Sequence, residues 1–378
     1  MTRHRPHPYV GLPDRQFWKK ERGIVDPEAL DPVGKMPFTL SRTDRVVTAG
    51  SCFAQHVARY LTQSGFNHLI TEQPHAILQP KVVTDFNYRV FSARYGNVYT
   101  ARQLLQLLQR AYGQFTPRAD HWPRGSAGRV VDPFRPQIQP EGFTSAAELA
   151  EDRKMHLAAV RHAIEAMDVF VFTLGLTEAW IDRRDGAVFP LAPGVAGGRY
   201  DPDTVIFHNF DETETAADLL AALHFIRARN PRVRFILTVS PVPLNATMED
   251  RHVLLSTTWS KAVLRIAAER ATRALADTCY FPSYEIITAP HVRGRYFAAD
   301  CREVLDAGVA HVMGLFFHHF ANVPLASGAA KPAAGTAQQE ERPDAHVARM
   351  EELNRIHCDE EALDNAPTLA GSALTTGV

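Results

Sequence analysis

Cysteine is scarce in this chain: there are 4 in 378 residues, at positions 52, 279, 301 and 358. None forms a CxxC pair or shares metal-ligand spacing with histidine, which argues against a disulfide scaffold and a structural zinc site. An excess of charge of one sign is lacking too. Lys and Arg number 41 against 42 Asp and Glu, for a formal net charge of −1, so the basic footprint of a nucleic-acid binder is missing. No stretch approaches the ~18 uninterrupted apolar residues of a membrane span. The first 20 residues are basic but carry neither the apolar core nor the small-residue cleavage site of a secretory signal. No Walker or dinucleotide fingerprint follows an apolar run, and no repeat is visible. These absences lead us to expect a soluble, cytoplasmic protein without metal, membrane or nucleic-acid partners, acting on a small molecule.

What is present is globular: 45% hydrophobic and 22% charged residues, enough for one large domain. Residues 1–43 are punctuated by proline and charge and read as an arm, with Phe17, Trp18 and Phe38 available to pin it to the body. Residues 45–50 read as a strand and 52–64 as a helix; HLI at 68–70 is a candidate short strand, and 100–113 has a good helical face. The Pro-, Gly- and Arg-rich stretch 114–145 shows little periodicity and reads as a surface insertion. Helices at 146–166, 214–229 and 256–276 each lead into a continuous apolar run, at 168–174, 233–239 and 279–287, of the kind buried on both faces of a parallel sheet. A last apolar helix spans about 304–320. The alternation predicts an α/β fold with a doubly wound, mainly parallel sheet over 44–326. From 327 the chain reads as a largely disordered tail, with a possible short helix near 344–357.

The densest chemical signal is VVTAGSCFA at 46–54. A β-branched run stops at Gly50, two side chains with nucleophilic atoms follow, and an amphipathic pattern then starts. Ser51 and Cys52 therefore stand at the carboxyl end of a strand and at a helix N-terminus, where crevices form and where partial positive charge favours a thiolate or an oxyanion. Other strand ends carry Gly175-Leu176-Thr177-Glu178 and Ser240-Pro241-Val242, and Asp300 precedes the last helix. Their convergence on one edge predicts a site.

With GSCFA at 50–54, YGNVYTARQL, FTLGLTEAW, LTVSPVPL and YFPSYEII, the chain resembles the GSCFA domain family, from the arm to about residue 321. That family is similar to the SGNH, or GDSL-type, hydrolases, flavodoxin-like proteins that cleave or transfer acyl groups. The resemblance implies a nucleophile at Cys52, or at Ser51 if the match slips by one residue. It implies oxyanion or substrate contacts from Gly175, Thr177 and Glu178, a further backbone donor near Gly96 and Asn97, and an acid at Asp300. The last block departs from the pattern: these enzymes place histidine three residues after the aspartate, and Glu303 stands here instead. A carboxylate is a poor base for a serine hydroxyl. His56, one helical turn after Cys52 on the same face, and His208, at the end of an apolar segment, are the candidate replacements.

The expected function is thus acyl hydrolysis or transfer on an ester, thioester or amide, with a sugar hydroxyl in polysaccharide modification as a conceivable acceptor. No resident cofactor is expected, with acyl-CoA a possible donor for a transferase. The alternative is a hydrolase-derived scaffold that binds a ligand or partner without turnover.

Overall fold

A computed structural model describes residues 7–325 and 359–364. Its centre is a sheet of four parallel strands in the order β1 (Val46–Gly50), β4 (Val169–Leu174), β8 (Arg234–Val239), β9 (Thr278–Tyr280). The candidate strand at 68–70 appears only as a parallel bridge: Leu69 N donates to the Val46 carbonyl, and Val46 N to the Asn67 carbonyl. Counting that rudimentary strand, the order is the 2-1-3-4-5 of a flavodoxin-like sheet.

The strands are apolar throughout because both faces are covered, and their alternation shows it. Phe170, Phe172, Phe235 and Leu237 face one layer, made by α3 (Ala101–Ala111), α4 (Ala146–Ala166), α5 (Glu212–Arg229) and α6 (Val253–Ala274). Val169, Val171 and Ile236 face the other, made by α1 (Phe53–Gln63), α7 (Ser283–Thr288) and α8 (Asp306–Ala321). The connection after β1 therefore goes to one side of the sheet, and the one that leads from β4 to β8 goes to the other. A crevice opens between their carboxyl ends. A second sheet, β5 (Glu178–Asp182) flanked by β6 (Val188–Phe189) and β7 (Val205–Asn209), is inserted between β4 and α5. No helix among the described residues is long and apolar enough to cross a membrane.

Three expectations change. The run 279–287 is a strand only to Tyr280; Pro282, which fixes φ and lacks an N–H, ends it, and Ile286 and Ile287 are buried from α7. The arm is anchored less by Trp18, which is 69% exposed, than by buried Leu30 and Leu40, with Leu40 N donating to the Phe320 carbonyl and Phe38 against the Phe320 ring. The stretch 114–145 is more than a surface insertion. It forms a hairpin, β2 (Trp122–Arg124) with β3 (Arg129–Val131), after α2 (Pro80–Asp85) and α3, and it buries Val131, Ile138 and Phe143. Beside the hairpin lies a closed charge network. Asp132 pairs with Arg135 at 3.0 Å, Arg135 with Asp152 at 2.7 Å, Arg94 with Asp152 at 3.1 Å, and Glu72 with His156 at 2.8 Å. Burial alone would raise the Glu72 carboxyl; the His156 hydrogen bond and the Arg135 charge hold it down to about 2. Scattered ionic anchors have no period, so pattern reading misses them. The short helix expected at 344–357 lies outside the described residues, but 359–364 is part of the fold, with Asp359 and Glu360 buried.

Because Asp132 is fully buried, Asp132→Ala leaves the buried Arg135 with Asp152 as its one remaining close carboxylate. Urea unfolding of the variant should show a loss of about 3–5 kcal/mol, and a loss under about 1 kcal/mol would contradict a structural role for the network.

Candidate functional site

The site begins with a close approach of backbones. Gly50 has φ +134°, and a Cβ there would lie 2.2 Å from the Thr173 carbonyl oxygen, so only glycine lets β1 finish against β4. Ser51 N then donates to that carbonyl at 3.0 Å, and the chain turns into α1 with Cys52 as its first capping residue. The Gly50 carbonyl accepts from Val98 N at 2.8 Å, and the Tyr99 carbonyl accepts from Gly175 N at 3.0 Å. These bonds clamp the loop 95–100 across the ends of β1 and β4. Gly175 must also be small: a Cβ there would stand 3.0 Å from both the Ser51 Cβ and the Tyr99 ring.

The resulting crevice holds about 220 Å³ and is lined by Ser51, Cys52, Tyr99, Gly175, Ser240 and Lys261. Both nucleophile candidates therefore meet one space. Ser51 is 2% exposed, and its Oγ has no hydrogen-bond partner among the described residues. Lys261 reaches in from α6, itself 2% exposed, with Nζ donating to the Gly175 carbonyl at 2.7 Å. Sequence reading missed this lysine, yet a signal exists: it sits three residues before Leu264 and seven before Ala268, in the buried stripe of α6.

The other predicted residues are distributed as follows. Gly96, with φ +70°, and Asn97 lie in the clamping loop and line a neighbouring cavity. Asn97 Oδ1 accepts from Gln55 Nε2 at 3.2 Å. The N–H groups expected of an oxyanion hole at Gly175 and Thr177 are engaged elsewhere: Gly175 N serves Tyr99, and Thr177 N donates to Ser260 Oγ at 3.1 Å. Thr177 Oγ1 turns to Asn209 Oδ1 at 2.6 Å, toward the second sheet. Gly175 thus contributes room rather than a donor. Glu178 binds Thr247 Oγ1 at 2.6 Å and fixes the loop before α6; burial raises its carboxyl.

Asp300 is not in the crevice. It is exposed, and its Oδ1 accepts from the N–H groups of Arg302 and Glu303, both at 3.0 Å, which hold its carboxyl below the usual range. Its place in an acid–histidine pair is therefore a likeness of spacing. His208 lies on β7 and pairs with Glu214 at 3.0 Å, closing off the start of α5. His56 packs its ring 5.5 Å from Phe53. Burial, and next the Arg59 charge, lower it to about 4. Neither histidine lines the crevice that Ser51 and Cys52 share.

The family model described as GSCFA family matches residues 45–316, from the first strand through most of α8. No curated protein matches the chain.

The lowered His56 gives a pH test. An unfolded imidazole near 6.5 binds a proton that the folded one refuses until about 4, so stability is full above pH 6.5 and declines as pH falls through that window. His56→Gln should remove a share of that decline on the order of 2 kcal/mol, allowing for the ring's partial exposure. Urea unfolding at pH 7, 5.5 and 4 measures it; an unchanged slope would mean that the ring is solvated.

Proposed function

The chain belongs to the GSCFA family, and on that premise we propose that it is an SGNH-like acyl hydrolase or acyltransferase acting on an ester, thioester or amide through Cys52. The observation that carries this reading is the position of Cys52. It stands at the carboxyl end of β1 and the N-terminus of α1, lining a crevice with Ser51 and Lys261. A helix N-terminus and a nearby cation both favour a thiolate.

In the reaction, Cys52 Sγ gives up its proton and bonds to the acyl carbon. The developing oxyanion turns to the N–H groups of Cys52 and Phe53 at the start of α1, because the next two, Ala54 N and Gln55 N, already donate to the Ser51 and Cys52 carbonyls. The alcohol, thiol or amine departs with a proton, and water or an acceptor hydroxyl then releases the acyl group and restores the thiol. With Gly175 and Thr177 N–H engaged elsewhere, the helix terminus takes the larger part in oxyanion binding. A sugar hydroxyl as acceptor, hence a role in polysaccharide modification, and acyl-CoA as donor fit the transferase form, and the cytoplasm is its setting.

A binding scaffold without turnover is the second reading. It is favoured by Asp300 facing solvent and by Glu303 standing where the resemblance calls for histidine.

The two readings separate on variants. With an activated ester such as p-nitrophenyl acetate, Cys52→Ala should abolish the acyl-protein adduct seen by intact mass. Ser51→Ala should keep the adduct with a severalfold lower rate, since it alters the turn but not the attacking atom. Loss of the adduct in Ser51→Ala alone would move the nucleophile to Ser51. No adduct in the unsubstituted chain would leave the scaffold reading.

A further inference from the structure

The crevice is already partly filled by the chain itself. Residues 359–364 lie outside the stretch matched by the family model, yet they are held by side chains from separate parts of the fold. Asn97 Nδ2 donates to Asp359 Oδ2 at 3.1 Å, and Asp359 N donates to the Tyr99 hydroxyl at 3.0 Å. Asn245 Nδ2 reaches both the Glu360 carbonyl and Asp364 Oδ1, each at 3.1 Å. Arg302 Nη2 meets Glu360 Oε2 at 3.1 Å.

Glu360 then lines the same crevice as Ser51, Cys52 and Lys261. Its carboxylate has Arg302 and Lys261 as its attracting charges. Burial raises the two buried acids of this segment, Asp359 to about 7 and Glu360 also upward. Two carboxyls so far from water need the donors they have found.

We propose that the crevice, the substrate site of the acyl-transfer reading on which this rests, recognises a carboxylate-bearing ligand, and that Glu360 occupies the carboxylate's seat in cis. Arg302 is the recognising cation at the rim, and Lys261 is the second positive charge within. Asn97, Tyr99 and Asn245 dock the segment so that its acid enters. A substrate with a free carboxylate displaces Glu360; one without it must work around the segment. Arg302 lies two residues past Asp300, so the loop before α8 supplies the segment's ion pair.

Alkylation tests this without any acyl chemistry, so its failure is distinct from failure of the catalytic reading. Cys52 is labelled with iodoacetate, which carries a carboxylate, or with neutral iodoacetamide, and the labelled peptide is quantified by mass spectrometry. In the full chain, Cys52 should react slowly with both. In Glu360→Ala the vacated seat should raise the iodoacetate rate at Cys52 roughly tenfold or more, and by more than the iodoacetamide rate. Adding Arg302→Gln to Glu360→Ala should abolish the advantage of iodoacetate. Cys279, whose thiol burial pushes up to about 12, must stay unlabelled as the control for folding. If Glu360→Ala labels it, Glu360→Gln, which keeps the shape and drops the charge, is judged by the same ratio. An equal rise with both reagents would make the segment a plain shield, and no rise would unseat it; either result overturns carboxylate recognition.

Discussion

The close fit of Gly50 against Thr173 is the constraint on which the site depends. A Cβ at residue 50 would overlap the Thr173 carbonyl oxygen, so the first strand can end flush against its neighbour only as glycine. That fit sends the Ser51 N–H to Thr173, leaves the Gly50 carbonyl for Val98, and starts α1 with Cys52. The Val98 bond draws in the loop that carries Tyr99, and Tyr99 in turn holds Gly175. Gly175 repeats the device: its lack of a side chain keeps space open between Ser51 and Tyr99, and its carbonyl fixes Lys261. Two glycines thus allow three backbone segments to meet, and the reactive groups sit in the gap between them.

Charge is handled in two ways in this molecule. Around Asp132 and Arg135 the buried cations and anions interlock through several contacts, and the network fastens the hairpin stretch to α4 and to the loop carrying Glu72 and Arg94. Around the crevice the body of the fold contributes Lys261 and Arg302, and the acid that meets them comes from a separate terminal segment. A charge balance completed by a segment outside the family-matched stretch suits a site that exchanges one carboxylate for another, whereas the interlocked network suits a permanent joint.

Much of the fold was legible because burial on both faces of a parallel sheet leaves a continuous apolar run, and 168–174 and 233–239 carry that mark. The turn at 50–52 was legible for a related reason, since a glycine between a strand pattern and a helix pattern has few other uses. The rest was hidden by the physics of tertiary context. Ile286 and Ile287 have strand-like side chains, but Pro282 had already closed the strand, and packing against α8 made them helical. The stretch that follows the hairpin is tied at Asp132 and Arg135 by ion pairs that leave no period. Glu360 lay in a stretch whose composition reads as solvated tail, and its burial depends on partners 58 and more residues away along the chain. His56 and His208 were placed near the site by helix geometry and by strand position, but sequence distance says nothing of where a ring points. The Phe53 ring and Glu214 claim them instead. Lys261 was within reach of pattern reading, as a charge in an apolar stripe.

The central claim is that the turn after β1 presents Cys52 as the group that accepts an acyl chain. Its most direct test is to treat the unsubstituted full chain with an activated ester, quench in acid, digest with trypsin and locate the acyl group within the peptide 46–59, which contains both Ser51 and Cys52. The account predicts that the added mass maps to Cys52 and is removed by neutral hydroxylamine, as a thioester is. Acylation confined to Cys279 or Cys301, or an unmodified peptide 46–59, would contradict it.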